Sequence, residues 1–218
     1  MGGLGLVTGS GSRGLDLPAA NLTLLQRHGE GYALPHEIDH AANMRRLANA
    51  GCDRVLAIGS VGGLRRELRP GTFVCPDDFI ALTAAPATSL AGVSAHRVPG
   101  FDSGWRRRVL EALASAGDDE RIDVRESGVY WQANGPRLET PAEIGFVAAH
   151  ADVIGMTIAS ECIAAGELGL AYAAVCVVDN FANGVAEAEL TLDEILAGQQ
   201  RHRTRLAAAL AAALPRLQ

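Results

Sequence analysis

Lysine is absent from this 218-residue chain; all nineteen basic side chains are arginine. The plainest origin is compositional bias of the source genome. The absence still removes any Schiff-base lysine, and so pyridoxal phosphate and aldolase-type chemistry. It removes a P-loop lysine too. Aromatic residues make up only 5% of the chain. The core must therefore be built from Ala, Leu, Val and Gly, which suits close packing of helices on a sheet. Of the four cysteines, Cys52, Cys75, Cys162 and Cys176, none form a C-x-x-C pair and three sit in apolar runs. They read as buried thiols of a reducing, cytoplasmic environment, with no metal site expected. No leader or spanning segment is expected, since the apolar stretch Leu206–Leu214 is too short and follows arginines. The net charge of −6 argues against a nucleic-acid or membrane partner. It does not exclude a small anion held by a few local donors.

The length suits one α/β domain with a substantial core. Short apolar runs at Leu4–Val7 and Leu22–Leu25 read as strands, the first running into the Gly/Ser turn Thr8–Ser12. A helical pattern covers His36–Ala50, and Gly51 closes it. Arg54–Ile58 reads as a buried strand with Gly59–Gly63 as the turn after it, and Thr72–Cys75 as another strand. The stretch 81–103 reads as an irregular loop. Then follow a helix at Trp105–Ala116, a strand at Gly128–Gln132 and a helix at Thr140–His150 with Pro141 in its first turn. A strand at Asp152–Gly155, a helix at Ser160–Leu168, a strand at Tyr172–Val178 and a closing amphipathic helix at Leu192–Leu214 complete the order. Strands alternating with helices indicate an α/β fold with a largely parallel sheet. Ligands in such sheets gather where strands end and loops begin.

Those loops carry the candidate residues. Gly9, Gly11 and Gly14 fit G-x-G-x-x-G, but Leu15-Asp-Leu-Pro18 follows, and Pro18 falls too early for the helix that a dinucleotide site requires. A Gly/Ser turn offering N–H groups and the Ser10 hydroxyl to an anion fits better. Arg27 can hold an anion in a bidentate fork, though by spacing alone Arg27-His28 reads as a solvated surface pair. Thr157 opens a helix after a strand, either as an anion site or as a simple N-cap. Glu139 ends a turn, and Asp179 and Asn180 close an otherwise apolar strand, as site residues or as turn formers.

Together the pieces resemble the trimeric purine nucleoside phosphorylase and methylthioadenosine phosphorylase family. The carrying motifs are Arg27-His28-Gly29, Pro35-His-x-Ile-x-x-x-Ala-Asn43, Ser60-Val-Gly-Gly-Leu64, Arg69-Pro-Gly71, Gly135-Pro-Arg-Leu-Glu-Thr140 and Gly155-Met-Thr-x-x-x-Glu161. The resemblance runs from Gln26 to about Ile195. It implies a single domain over 1–218 with a three-layer α/β/α fold and a mixed, largely parallel sheet. It also implies phosphorolysis of purine nucleosides, inorganic phosphate as co-substrate, no further cofactor and a homotrimer. By position, Ser10, Arg27, His28, Ser60 and Thr157 would hold phosphate. Met156 would lie against the sugar, with Leu138 and Asp179 beside the base and sugar. His96 would reach a neighbouring subunit's pocket.

Relatives acting on 6-oxopurines pair Glu with Asn, as Glu139 and Asn180 do here; those acting on 6-aminopurines usually carry Asp at the second position. The pairing makes physical sense. A carboxylate accepts the N1–H that hypoxanthine has and adenine lacks, and a site built to hydrogen-bond such groups rejects a base without them. A one-residue slip would put Asp179 in the pocket and reverse the preference. Where other members place a histidine near the sugar hydroxyl, this chain has Leu190-Thr-Leu192, which suits a 5′-methylthio group. In base-pocket residues the chain looks most like methylthioinosine phosphorylase. Methylthioadenosine phosphorolysis, a hydrolytic nucleosidase and a non-catalytic nucleoside-binding protein remain as alternatives. One departure stands out: the segment between the Gly/Ser turn and Arg27 is much shorter than in relatives.

Overall fold

The computed structural model describes residues 2–12, 14, 15, 17, 21–82, 90, 92–115, 122–187 and 190–218. Pro18, Ala116 and part of the expected 81–103 loop lie outside the described residues. The strands are β1 (Gly3–Thr8), β2 (Leu22–Gln26), β3 (Cys52–Gly63), β4 (Phe73–Val74), β5 (Asp78–Ile80), β6 (Val124–Arg125), β7 (Val129–Gln132), β8 (Val153–Gly155) and β9 (Ala171–Phe181). The helices are α1 (His40–Asn49), α2 (Ser103–Ala114), α3 (Pro141–Val147), α4 (Ile158–Glu167) and α5 (Leu192–Leu217).

β3 and β9 are the spine. They pair in parallel from Arg54↔Ala171 to Gly63↔Phe181, with a register shift between Val61 and Gly62. β1 joins the other edge of β3, and β2 joins β1, both in parallel. The far end of β3 turns to meet β8 in antiparallel, and β7 and β5 continue that side in parallel. β4 pairs antiparallel with β9 and parallel with β6. The sheet is thus mixed and curled, and it is largely parallel, as the strand–helix alternation predicts.

Period-two alternation along β9 builds the layers. Tyr172, Ala174, Cys176 and Val178 face a core completed by Met44 and Leu47 of α1 and by Ile158 and Cys162 of α4. Ala173, Val175 and Val177 face the opposite core, with Trp105 and Val109 of α2 and Leu206, Leu210 and Leu214 of α5. A third cluster packs Ile144 and Val147 of α3 on Trp131 and Ile154. This is the expected three-layer arrangement.

Two expectations change. Gly59–Gly63 is no turn; it is the second half of the twelve-residue β3. Both sheet neighbours supply ladder partners there, which overrides the turn tendency of three glycines. The helix expected from His36 starts at His40. Asp39 caps it by accepting from the Ala42 N–H at 2.7 Å, and a separate 3-10 turn at Pro35–Glu37 precedes an extended Ile38.

Candidate active site

The ends of β1, β2, β3 and β9, the β8–α4 junction and the start of α5 enclose a cleft of about 420 Å³. Of the residues expected to bind phosphate, Ser10, Arg27, His28, Ser60 and Thr157 all line it. So do Met156, Leu138, Glu139, Asn180 and Leu192. Asp179 and His96 do not.

Arg27 forms the buried floor. It is 3% exposed. Its Nε and one terminal nitrogen donate to the two oxygens of Glu161 at 2.6 and 3.0 Å, and the other terminal nitrogen donates to the Ile58 carbonyl at 2.9 Å. The bidentate fork expected for an anion is therefore held by Glu161. Among the described residues this leaves one N–H on each terminal nitrogen, since a guanidinium carries five. Burial opposes the charges of both partners, yet each sustains the other. Arg27 stays charged, and Glu161, completely buried, is held below the usual carboxylate range. The Tyr172 hydroxyl donates to Glu161 at 2.7 Å. Gly9 is required here, because a Cβ on it would collide with the Arg27 guanidinium. Glu161 was not among the expected site residues. A carboxylate amid the mostly apolar first turns of α4 is the signal for it, since a buried Glu must be paired.

The entrance to α4 is also different from expectation. The N–H groups of Thr157 and Ile158 point to the Tyr130 hydroxyl at 3.2 and 3.4 Å, and Ser160 N–H donates to Gln132 Oε1 at 2.9 Å. These groups of β7 therefore take the helix donors that the sequence offers to an anion. Thr157 makes no side-chain cap bond, so its hydroxyl is what it presents to the cleft. His28 is fixed by Nδ1–H donation to the Ala33 carbonyl at 2.8 Å and by stacking on Tyr32.

Glu139, also on the cleft, is half-buried, and burial raises its carboxyl above the ordinary range. Asn183 Nδ2 donates to the Glu139 carbonyl at 3.1 Å and pins that turn. Arg137 is turned away onto Glu143, at 2.8 and 2.9 Å. Asn180 Nδ2 donates one hydrogen to the Phe181 carbonyl at 2.7 Å, and among the described residues the second hydrogen and the amide oxygen remain for a ligand.

Asp179 was expected beside the base and lies elsewhere. Strand parity sends it to the α5 side with Val175 and Val177, where it accepts the Ser60 hydroxyl hydrogen. Burial pushes its pKa up to about 6 against the lowering effect of Ser60. The same parity puts Asn180 on the cleft wall. Alternation along 172–180 therefore carried the signal that separates these two residues. His96 is exposed, just past a 3-10 turn.

Sequence reasoning missed Gln199, whose Nε2 donates to both Ser10 Oγ and Ser60 Oγ at 3.1 Å. It is the polar member of an otherwise apolar helical stripe, Leu192, Ile195, Leu196 and Gln199, all on the cleft. With Leu190, Tyr32 and Leu34, this stripe forms an apolar wall.

A mixed, curled α/β sheet between helix layers thus carries a cleft lined by a buried arginine, hydroxyls, a carboxylate and an amide. The phosphorylase superfamily pattern matches residues 19–215, and the chain belongs to that family. It is 39% identical over 177 residues to a protein from Archaeoglobus fulgidus named "Probable 6-oxopurine nucleoside phosphorylase", which covers 81% of this chain and 71% of that one. It is 37% identical over 174 residues to a Methanopyrus kandleri protein named "Probable S-methyl-5'-thioinosine phosphorylase", covering 78% and 68%. A solved methylthioadenosine phosphorylase from Schistosoma mansoni superposes with a TM-score of 0.80 at 24% identity, over 98% of this chain and 91% of that one; at that identity it speaks for the fold.

Proposed function

We propose that this protein cleaves purine nucleosides with inorganic phosphate, releasing the free base and a sugar 1-phosphate, and that it prefers 6-oxopurines carrying a 5′-methylthio group. The observation that carries the reading is the convergence of residues from distant parts of the chain on one cleft. Arg27, Ser10, Ser60 and Thr157 line it together with Glu139 and Asn180.

Phosphate binds against Arg27 and the Ser10 and Thr157 hydroxyls, below the sugar, with Ser60 behind Ser10. The C–N bond breaks ahead of attack, giving an oxocarbenium-like sugar, and negative charge grows on the departing purine. Asn180 donates to N7, so its stabilisation is strongest where that charge develops, and Glu139 anchors the base through N1–H. Phosphate then captures the sugar carbon. Positioning and electrostatics supply the rate, with no covalent enzyme intermediate. The co-substrate is inorganic phosphate, and the scheme calls for no other cofactor. The apolar side chains of Leu190, Leu192 and Leu196 on the cleft suit a thioether at the 5′ position.

The working unit in this reading is a cytoplasmic homotrimer, in which exposed His96 meets a neighbour's cleft. No described helix is long and apolar enough to cross a membrane. The test is incubation with methylthioinosine, inosine and methylthioadenosine, with and without phosphate. Phosphate-dependent release of hypoxanthine supports the proposal; no free base from any of them rejects it.

A further inference from the structure

The two serines on the phosphate side of the cleft are not equivalent, and the difference follows from counting hydrogens. A serine hydroxyl has one hydrogen to give and two lone pairs. Ser60 Oγ lies within hydrogen-bond distance of Asp179 Oδ2, and an ionised carboxylate only accepts. Ser60 therefore gives its single hydrogen to Asp179. Its remaining contact, from Gln199 at 3.1 Å, must then be one in which Ser60 accepts. That requires Gln199 to present its NH2 group, which carries two hydrogens. The second goes to Ser10 Oγ, also at 3.1 Å. Ser10 is thereby an acceptor toward Gln199. Among the described residues nothing takes its own hydrogen.

The backbone holds this arrangement in place. Gly198 has no room for a side chain, because a Cβ would collide with the Asp179 carbonyl. α5 thus lies directly on the end of β9. A Cβ on Gly11 would press on Gln199 Cγ at 3.2 Å, so the turn after β1 closes over the glutamine from the other side. Three segments distant in sequence meet at one amide.

We infer that Gln199 is a positioning residue of the phosphate site: it turns the Ser10 hydroxyl hydrogen toward the anion, while Asp179 turns that of Ser60 away. This rests on the phosphorolytic reading above. Ser10 is then a hydroxyl donor to phosphate, and the Ser60 side chain is part of the support behind it.

The test is calorimetric titration of inorganic phosphate into the full-length protein at pH 8, alongside KM for phosphate and for nucleoside. Gln199→Met removes the donor at similar size and without adding charge. It should weaken phosphate binding about tenfold, the worth of one well-placed hydrogen bond, and leave the nucleoside KM unchanged. In a Ser10→Ala background the same change should add less than about twofold, because the glutamine acts through that hydroxyl. Asp179→Asn still offers an oxygen to Ser60 and should bind phosphate like the wild type, within about threefold. Equal losses in both backgrounds, a parallel loss of nucleoside binding, or no loss at all would overturn the inference. Should Gln199→Met not fold, the serines themselves decide: about tenfold weaker binding for Ser10→Ala against less than about threefold for Ser60→Ala is expected, and the reverse order refutes it. A wild type that neither binds phosphate nor uses it overturns the phosphorolytic reading, and this inference with it.

Discussion

Glu161→Gln is the perturbation that bears hardest on the Arg27 floor. The pair is completely buried, with side-chain exposures of 2% and 0%. Glutamine keeps the shape but loses the charge, and on either side its NH2 group would face an Arg27 N–H, because Oε1 accepts from Arg27 Nε and Oε2 from an Arg27 terminal nitrogen and the Tyr172 hydroxyl. A buried guanidinium without its counter-charge is the costly outcome, at about 3–5 kcal/mol for a broken buried pair. Removing both charges is different, because buried pairs replaced by neutral groups are often nearly neutral in stability. The double variant Arg27→Met, Glu161→Gln should therefore recover most of the lost stability, to within about 1–2 kcal/mol of wild type. It should nonetheless show no phosphate-dependent cleavage, because the cation is gone. Urea unfolding of the wild type, both single variants and the double closes the cycle. A Glu161→Gln cost below about 1 kcal/mol, or a double variant less stable than both singles, would refute the claim that Glu161 exists to hold a buried charge.

Three further outcomes follow from the same geometry. Asp179 has a folded pKa raised to about 6, so the native state favours its protonated form and its ionisation weakens folding. Asp179→Asn should therefore gain on the wild type as pH rises from about 4 through 6, by up to roughly 3 kcal/mol, and stay level above that; a stability difference independent of pH between 4 and 7.5 contradicts this. Asn180→Ala should lower turnover about a hundredfold while changing the nucleoside KM little, as expected for a donor that matters most in the transition state; a pure KM effect counts against that assignment. Gly9→Ala forces a methyl onto the Arg27 guanidinium and should cost about 1–3 kcal/mol by overpacking, seen as a lowered unfolding midpoint; a neutral effect would mean the turn yields freely.

The layer architecture was legible because periodicity reports burial. The apolar run 172–178 alternates between two cores, and the helical stripes on α1, α2 and α5 each supply one of them. Local signals misled where the sheet overrode them. Three glycines in Gly59–Gly63 read as a turn, yet β3 continues because β9 and β8 satisfy its ladder. Most of the candidate residues were legible as strand ends and motif positions. What was not legible is which partner each one already has. Arg27 is paired with Glu161, 134 positions away, and Gln199 reaches Ser10 across 189 positions. Such pairings depend on tertiary placement, which no local pattern encodes. The hydroxyl of Tyr130 at the α4 entrance is a further case, a β7 side chain doing what a cap or an anion was expected to do.

Product analysis tests phosphorolysis with a 6-oxopurine preference without recourse to any variant. Methylthioinosine and methylthioadenosine are incubated with the purified protein in the presence and absence of phosphate, and both free base and sugar 1-phosphate are quantified. The account predicts hypoxanthine and 5-methylthioribose 1-phosphate in equal amounts, only with phosphate, and much faster than adenine from methylthioadenosine. Base released at the same rate without phosphate, or adenine released faster than hypoxanthine, would contradict it.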